Sequence, residues 1–140
     1  MSKAPPPIGA DDAPPPAAPA RKGRGRTPIS NVCTDGEWRE MVRRMRSCCP
    51  PPEGWAWKMY RSSAIGDDDL GDCGRQKNRV ICVRVAFGMS PTETLDTLMH
   101  EMAHGYDMWT NHAWNDDEHG TTFWVWYGRI YRSYHNGYVA

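Results

Sequence analysis

Three residues in the stretch "LMHEMAHGYDMW", Leu98 to Trp109, have the types and spacing of a metal site. His100 and His104 stand four positions apart, and Glu101 directly follows the first histidine. Side chains four positions apart project from the same side of a helix, so both imidazoles can reach one cation at the ~2.0–2.1 Å that zinc requires. The pattern H-E-x-x-H therefore predicts a zinc site in which the glutamate is the general base of a hydrolytic reaction.

A zinc site of this kind needs a third protein ligand, and several downstream residues can supply it. An extended metzincin motif would place glycine and histidine where this chain has Asp107 and Thr110, so that class is excluded. His119 is predicted at the start of the next helix, and a rigid element suits a ligand that must be held in fixed geometry. The other candidates that remain are His112, His135, Asp117 and Glu118.

The metal motif falls inside the helix that has the clearest signals in the chain. Ser90 is its predicted N-cap, Pro91 is favoured at the first helical position, and Glu93 completes a capping box. The two histidines lie on a different face from the apolar stripe, so they are predicted to stand clear of the main core. The stripe comprises Leu95, Leu98, Met99, Met102 and Tyr106.

Two strands and one helix are predicted before the metal motif. Thr34 and Glu37 have the spacing of a capping box, which predicts a helix over residues 35–47 that ends before the prolines at 50–52. Alternation of apolar residues then predicts strands within "WAWKMYR" and "NRVICVRVAF". The glycine-rich, acidic segment between them predicts a loop or a wide hairpin connection over residues 62–77.

A last helix is predicted after the metal motif. Asp116 or Asp117 is its predicted N-cap, which sets His119 in or near the first turn. Large apolar residues then recur at the spacing of one helix face, which predicts a strongly aromatic buried side. This face comprises Phe123, Trp126, Tyr127, Ile130, Tyr131 and Tyr134.

Residues 1–30 differ in composition from the rest of the chain. They hold eight of the twelve prolines and almost no large apolar side chain, so they are predicted to be a disordered tail. Residues 31–140 are predicted to form one domain with a single core. Five Lys/Arg against two Asp/Glu make the tail basic, which suits either DNA phosphates or a solvated linker. Its cationic run comprises Arg21, Lys22, Arg24 and Arg26.

The composition disfavours membrane, secreted, zinc-ribbon and disulfide-rich proteins. No apolar run approaches the roughly 20 residues that span a bilayer, and no signal-peptide pattern follows Lys3, so we expect an intracellular monomer with no membrane partner. Five cysteines without a C-x-x-C pair argue against a zinc ribbon and against a complete disulfide framework. Reduced thiols are therefore expected.

The stretches "TLMHEMAHGYDMW" and "HGTTFWVWYGRIY" together resemble the SprT-like (Spartan-like) metallopeptidase family. In that family H-E-x-x-H precedes a variable loop and then a histidine in H-G-x-x-F at the start of a helix. The segment "LGDCGRQKNRVICVRV" resembles the family's glycine-containing hairpin. The resemblance covers about residues 35–134. It implies a minimal zincin-like α+β fold, in which a small antiparallel-type sheet packs with about three helices.

Carried over to this sequence, the resemblance implies that His100, His104 and His119 bind one catalytic zinc ion. It implies that Glu101 activates a zinc-bound water for peptide-bond hydrolysis. The substrates it implies are proteins, including proteins bound or crosslinked to DNA. The cysteine spacing here does not form the zinc ribbon that many members of the family carry.

Two other functions fit the same motif. One is a regulatory peptidase that cleaves a single repressor-like partner, and the other is a non-enzymatic nucleic-acid-binding module with a structural zinc. Structural zinc usually has four protein ligands, so an open coordination position beside Glu101 favours an enzyme. Tyr127 and Tyr106 are candidates for stabilising the oxyanion, and Trp109 is a candidate for lining the substrate cleft.

Overall fold

The computed structural model describes residues 31–66, 69–111 and 119–137, of which 109–111 are described by backbone only. The fold of this part of the chain is α+β, as expected. The basic run of the tail (Arg21, Lys22, Arg24 and Arg26) lies outside the described residues. The elements in chain order are α1 (Asp35–Cys48), β1 (Ala56–Ser62), β2 (Gly71–Gln76), β3 (Val80–Ala86), α2 (Pro91–Asn111) and α3 (Thr121–Asn136).

Both predicted capping boxes are present. At the start of α1, Glu37 N donates to Thr34 Oγ1 at 3.1 Å, and Thr34 N donates to the Glu37 carboxylate at 3.0 Å. At the start of α2, Glu93 N donates to Ser90 Oγ at 3.2 Å, and Ser90 N lies 3.4 Å from the Glu93 carboxylate. These reciprocal bonds satisfy backbone donors that a helix leaves unpaired at its N-terminus. The local sequence thus sets where both helices begin.

The three strands form one mixed sheet in the order β1-β3-β2. The central β3 pairs antiparallel with β2 and parallel with β1. The expected antiparallel-type sheet is therefore correct for the hairpin and wrong for the pairing of β1. From the end of β1 the chain continues to the far side of β3, where Ala86 N donates to Leu70 O at 2.8 Å. This connection leaves β1 and β3 running in the same direction.

The strand β2 lies in the segment for which the residue pattern predicts a loop or a wide connection. It contains two glycines and no β-branched residue, so its own β-propensity is low. Its pairing runs from Gly71 opposite Val85 to Gln76 opposite Val80. The pairing with β3, rather than the preference of its own residues, therefore makes this segment a strand.

The helix α2 covers the apolar face of the sheet. Its own buried residues include Leu98, Met102 and Tyr106 of the predicted stripe. At Gly105 an added Cβ would lie 3.0 Å from Ile81 Cγ2 and 3.0 Å from Trp57 Cζ3. A glycine at this position therefore lets the helix lie close against the sheet. The buried sheet residues include Trp57, Met59, Ile81, Val83 and Val85.

The helix α3 buries most of the predicted aromatic face but begins later than predicted. Its N-cap is Gly120, so the predicted N-cap at Asp116 or Asp117 is wrong; both residues lie outside the described ranges. Tyr131 is 48% exposed, which contradicts its predicted burial. At 100° per residue Tyr131 lies about 80° from Phe123, at the margin of the apolar arc. Its ring packs on His135 instead, with the centroids 4.3 Å apart.

No helix in the described part of the chain is both long and apolar enough to cross a bilayer. The five cysteines all lie in the described part of the chain, where each carries a free thiol. They include an adjacent pair, Cys48 and Cys49, at the end of α1.

The strand β2 lies close against α2 at Gly71. A Cβ at this position would lie 2.6 Å from Arg84 O, 2.9 Å from Thr97 Cγ2 and 3.1 Å from Glu101 Cγ. In contrast, a Cβ at Gly74, three residues along the same strand, would meet no atom within 4 Å. The absence of a side chain at Gly71 therefore permits the contact between the hairpin and the helix of the metal motif.

Replacing Gly71 with Ala should destabilise the protein, because the new methyl group would push against a backbone oxygen. We expect the free energy of unfolding to fall by about 1–3 kcal/mol, the usual cost of overpacking. The matched control is Gly74→Ala, which should change it by less than about 0.5 kcal/mol, or raise it slightly. Urea titration followed by tryptophan fluorescence measures both. Equal stabilities of the two variants would contradict the close contact at Gly71.

Candidate metal centre

Three histidines from two parts of the fold bring their ring nitrogens together. His100 and His104 lie on α2, and His119 lies two residues before α3. One ligand atom from each ring lies within 4.8 Å of the other two, and Nε2 of His119 is 3.1 Å from Nε2 of His100. Two nitrogens bound to one zinc ion in tetrahedral geometry lie about 3.3–3.4 Å apart. The three side chains therefore fit a single divalent cation.

Phe123 forms an apolar floor beneath the three histidines. Its ring centroid lies 4.9 Å from that of His100, 4.5 Å from that of His104 and 4.9 Å from that of His119. The imidazole centroids themselves are 4.9–5.0 Å apart. Because Phe123 is fully buried, its ring restricts the positions that the imidazoles can adopt. The phenylalanine four residues after His119 thus packs against all three rings.

Burial sets the protonation state of one histidine. His104 is only 8% exposed, and this burial, together with the nearby His119, lowers the pKa of its imidazole to about 4. A histidine with a lowered pKa is neutral at physiological pH, because burial and positive charge both disfavour the protonated ring. The neutral ring keeps a lone pair for a metal ion. His119 is exposed, so the cluster opens to solvent on that side.

Glu101 lies on the side of α2 that faces the hairpin, whereas the histidines face Phe123 of α3. The glutamate is 7% exposed, and its Cγ lies beside Gly71 of β2. Burial raises the pKa of the neighbouring Cys73 thiol, and the negative charge of Glu101 raises it further. The Glu101 carboxylate and the candidate ligands therefore occupy adjacent faces of one helix, between the edge strand β2 and α3.

A hydrogen bond ties α2 to α3 near the histidines. The Tyr127 hydroxyl donates to the Asp96 carboxylate. Asp96 lies one helical turn before His100, and Tyr127 lies one turn after Phe123. The bond therefore helps to fix the helix that carries two candidate ligands against the helix that follows the third. A role for Tyr127 in stabilising an oxyanion stays a prediction.

The other two residues predicted near substrate differ in how the structure places them. Tyr106 is fully buried, stacks on Trp126 with centroids 4.7 Å apart, and donates from its hydroxyl to Pro50 O. These contacts favour a packing role for Tyr106. The side chain of Trp109 lies outside the described residues.

Among the alternatives for the third ligand, only His135 can be placed. It lies near the end of α3, is exposed, and packs on Tyr131 and Tyr134. His112, Asp117 and Glu118 lie outside the described residues. Of the candidates that the structure describes, His119 is the one that joins the histidine cluster.

Two residues that matter for this geometry were not found from the sequence. Asp96 lies four positions before His100, and this helical spacing is a signal that could have indicated it. Gly71 contacts Glu101 from a segment thirty positions earlier in the chain, and no local pattern indicates such a contact. Both residues act by positioning the helix that carries the motif.

No known family model matches this chain. A search of curated proteins also finds no match. The function proposed below therefore rests on the residues of the chain and on their arrangement.

Replacing His119 with Ala should abolish stoichiometric zinc binding, because only two ligand side chains of the cluster would remain. The affinity should fall by more than the roughly 10–100-fold that loss of an outer partner of a ligand costs. Elemental analysis after dialysis measures the zinc content. His135→Ala is the matched control and should keep zinc. Loss of zinc from His112→Ala, with zinc retained in His119→Ala, would show that the third ligand is wrongly assigned.

Replacing Tyr127 with Phe should loosen the contact between α2 and α3, because the Asp96 carboxylate loses a hydrogen-bond donor. We expect the free energy of unfolding to fall by about 1.5–3 kcal/mol, the usual value for a bond to a charged group. Tyr131→Phe on the exposed side of α3 should change it by less than about 0.5 kcal/mol. Chemical denaturation measures both, and equal stabilities would refute the proposed tie.

Proposed function

We propose that this protein is a zinc-dependent metallopeptidase with a minimal zincin-like fold. The observation that carries the proposal is the convergence of His100, His104 and His119 on one point beside the buried Glu101. Three protein ligands are typical of catalytic zinc sites, which keep a further position for water or substrate. A zinc ion bound there would polarise a peptide carbonyl and lower the pKa of a water molecule toward ~7.

The proposed role of Glu101 is that of the general base. Its carboxylate takes a proton from the attacking water and transfers it to the nitrogen of the leaving amine. Its place between β2 and the face of the histidines supports this role, because a peptide bond held over the ligands also lies next to the carboxylate. The apolar ring of Phe123 keeps the three imidazoles in place during this transfer.

The edge strand β2 supports an extended polypeptide as the substrate. β2 pairs with β3 on one side, and its other edge has no strand partner in the described sheet. An extended peptide can add to such an edge through main-chain hydrogen bonds. Because a Cβ at Gly71 of β2 would lie 3.1 Å from Glu101 Cγ, a peptide paired along this edge runs close to the proposed base.

The basic run in residues 21–26 supports substrates that are held on DNA. Lysine and arginine side chains bind phosphates without regard to base sequence, so such a run can bring the peptidase to proteins bound or crosslinked to DNA. The resemblance of the two motif segments to SprT-like peptidases supports the same substrate class.

Replacing Glu101 with Gln should abolish proteolysis while zinc stays bound, because the amide cannot accept the proton of the water. The cleavage rate should fall by about 100- to 10,000-fold, the usual contribution of a general base. Cleavage of an unfolded model protein and elemental analysis measure the two properties. Glu53→Gln, at an exposed glutamate outside the site, should cleave at the normal rate. Retained cleavage in Glu101→Gln would overturn the assigned mechanism.

The same assay with and without DNA identifies the substrate class. Stimulation by DNA, abolished by a chelator and by Glu101→Gln, would support substrates held on DNA. Cleavage that does not respond to DNA would favour a regulatory peptidase. Zinc binding without any cleavage would favour the non-enzymatic module.

A further inference from the structure

We propose that Cys48 and Cys49 form a redox-active dithiol that a low-molecular-weight disulfide oxidises to a bond between these two neighbours. The two sulfur atoms lie 3.6 Å apart at the end of α1. A disulfide needs a separation of about 2.05 Å, so the thiols are already in contact, and closing the bond requires side-chain rotation together with a local change of the backbone. This site lies outside the cluster of histidines and has no role in the proposed hydrolysis.

The two thiols differ in exposure, which gives them different roles. Cys48 is half-buried, whereas Cys49 is fully buried, so a reagent in solution can reach only the first. The hydrogen-bonding contact with the Cys49 thiol lowers the pKa of Cys48. The same contact, together with burial, raises the pKa of Cys49. Cys48 is therefore the attacking thiol, and Cys49 is the thiol that resolves the intermediate.

The oxidation proceeds by two thiol–disulfide exchanges with glutathione disulfide as the oxidant. The Cys48 thiolate attacks one sulfur of glutathione disulfide, which forms a mixed disulfide and releases one glutathione thiolate. Cys49 then loses its proton, and its sulfur attacks Sγ of Cys48 and releases the second glutathione as a thiolate. The two glutathione thiolates take up the two protons that the cysteines lost. Two protein thiols are oxidised, and one glutathione disulfide is reduced to two glutathione molecules.

The bond between adjacent cysteines is expected to be readily reversed. Neighbouring Cα atoms across a trans peptide lie about 3.8 Å apart, whereas most disulfides join Cα atoms separated by about 4.4–6.8 Å. A ring closed over so short a distance is constrained, and constrained disulfides are the labile ones. Excess thiol should therefore restore the dithiol, as a reversible site requires.

The carbonyls of Cys49 and of the next residue, Pro50, accept hydrogen bonds from two aromatic side chains, one packed beside α2 and one on it. The carbonyl of Cys49 accepts a hydrogen bond from Trp57 Nε1 at 2.9 Å, and the carbonyl of Pro50 accepts one from the Tyr106 hydroxyl. Trp57 packs against Gly105, the residue after His104. Closing the ring changes the backbone torsion angles of Cys49, and this change shifts the Cys49 and Pro50 carbonyls that accept these bonds. This coupling, which rests on the proposed metal centre, predicts that oxidation weakens zinc binding.

The dithiol is tested by mass spectrometry of the full chain after treatment with glutathione disulfide. Both cysteines lie in one tryptic peptide, residues 47–58, with no other cysteine in it. We expect this peptide to lose two hydrogen atoms and to regain them after addition of dithiothreitol. Cys48→Ser should show no such loss, and Cys49→Ser should keep a glutathione adduct on Cys48. The control Cys82→Ser should behave as the unmodified sequence does.

Other mass patterns would overturn the proposal. A stable glutathione adduct on Cys48 of the unmodified sequence, without the internal bond, would show that Cys49 does not resolve the intermediate. A disulfide that joins either residue to Cys33, Cys73 or Cys82 would show that the adjacent pair is not the reacting unit.

The coupling is tested by zinc competition with a chromophoric chelator, using reduced and oxidised protein. We expect about a tenfold loss of affinity on oxidation, as for other changes outside the direct ligands. Oxidant-treated Cys48→Ser should keep the affinity of the reduced protein. Equal affinities of the reduced and oxidised forms would refute the coupling. If the reduced protein binds no zinc, the proposed metal centre and the coupling both fail, whereas the mass measurement still decides the dithiol.

Discussion

The close contact between α2 and the sheet is the constraint on which the rest of this fold depends. A helix normally keeps its distance from a sheet because side chains stand between the two backbones. Here Gly105 removes that spacer opposite Ile81 and Trp57, and Gly71 removes it where the hairpin meets Glu101. Both contacts lie within one turn of the candidate ligands along the helix. They fix the height of the motif above the strands, so α3 can meet the histidines at a defined place.

The features that the sequence predicts well depend on residues close together in the chain. The capping boxes of α1 and α2 each join residues three positions apart, and their bonds form as expected. The strand β2 could not be predicted from its own residues, because its pairing with β3 makes it a strand. The parallel pairing of β1 depends on the path of the connection, and the exposure of Tyr131 depends on how α3 is rotated against the core.

Within the candidate site, too, residues close together in the chain are easier to predict than residues brought together by the fold. The spacing of His100 and His104 places them side by side on any helix, so the sequence suffices for that pair. Spacing alone left His119 as one of several candidates, because its position depends on the docking of α3. The buried ring of Phe123, which packs on His100 and His104, and the bond from Tyr127 to Asp96 set that docking, and both join α3 to α2.

The turn of the β2–β3 hairpin affects which residue of β2 lies opposite Glu101 at the far end of the same hairpin. Asn78 and Arg79 adopt positive φ angles of 65° and 59° in this turn, and Asp72 pairs with Arg84 directly opposite. A shift of one residue in pairing would move every side chain of β2 to the other face of the sheet. A side chain would then occupy the space that Gly71 leaves for Glu101, five residues or about 17 Å away from the turn. The space needed at Gly71 therefore restricts the number of residues in this turn. Related chains should conserve that number more strictly than the identities of the residues.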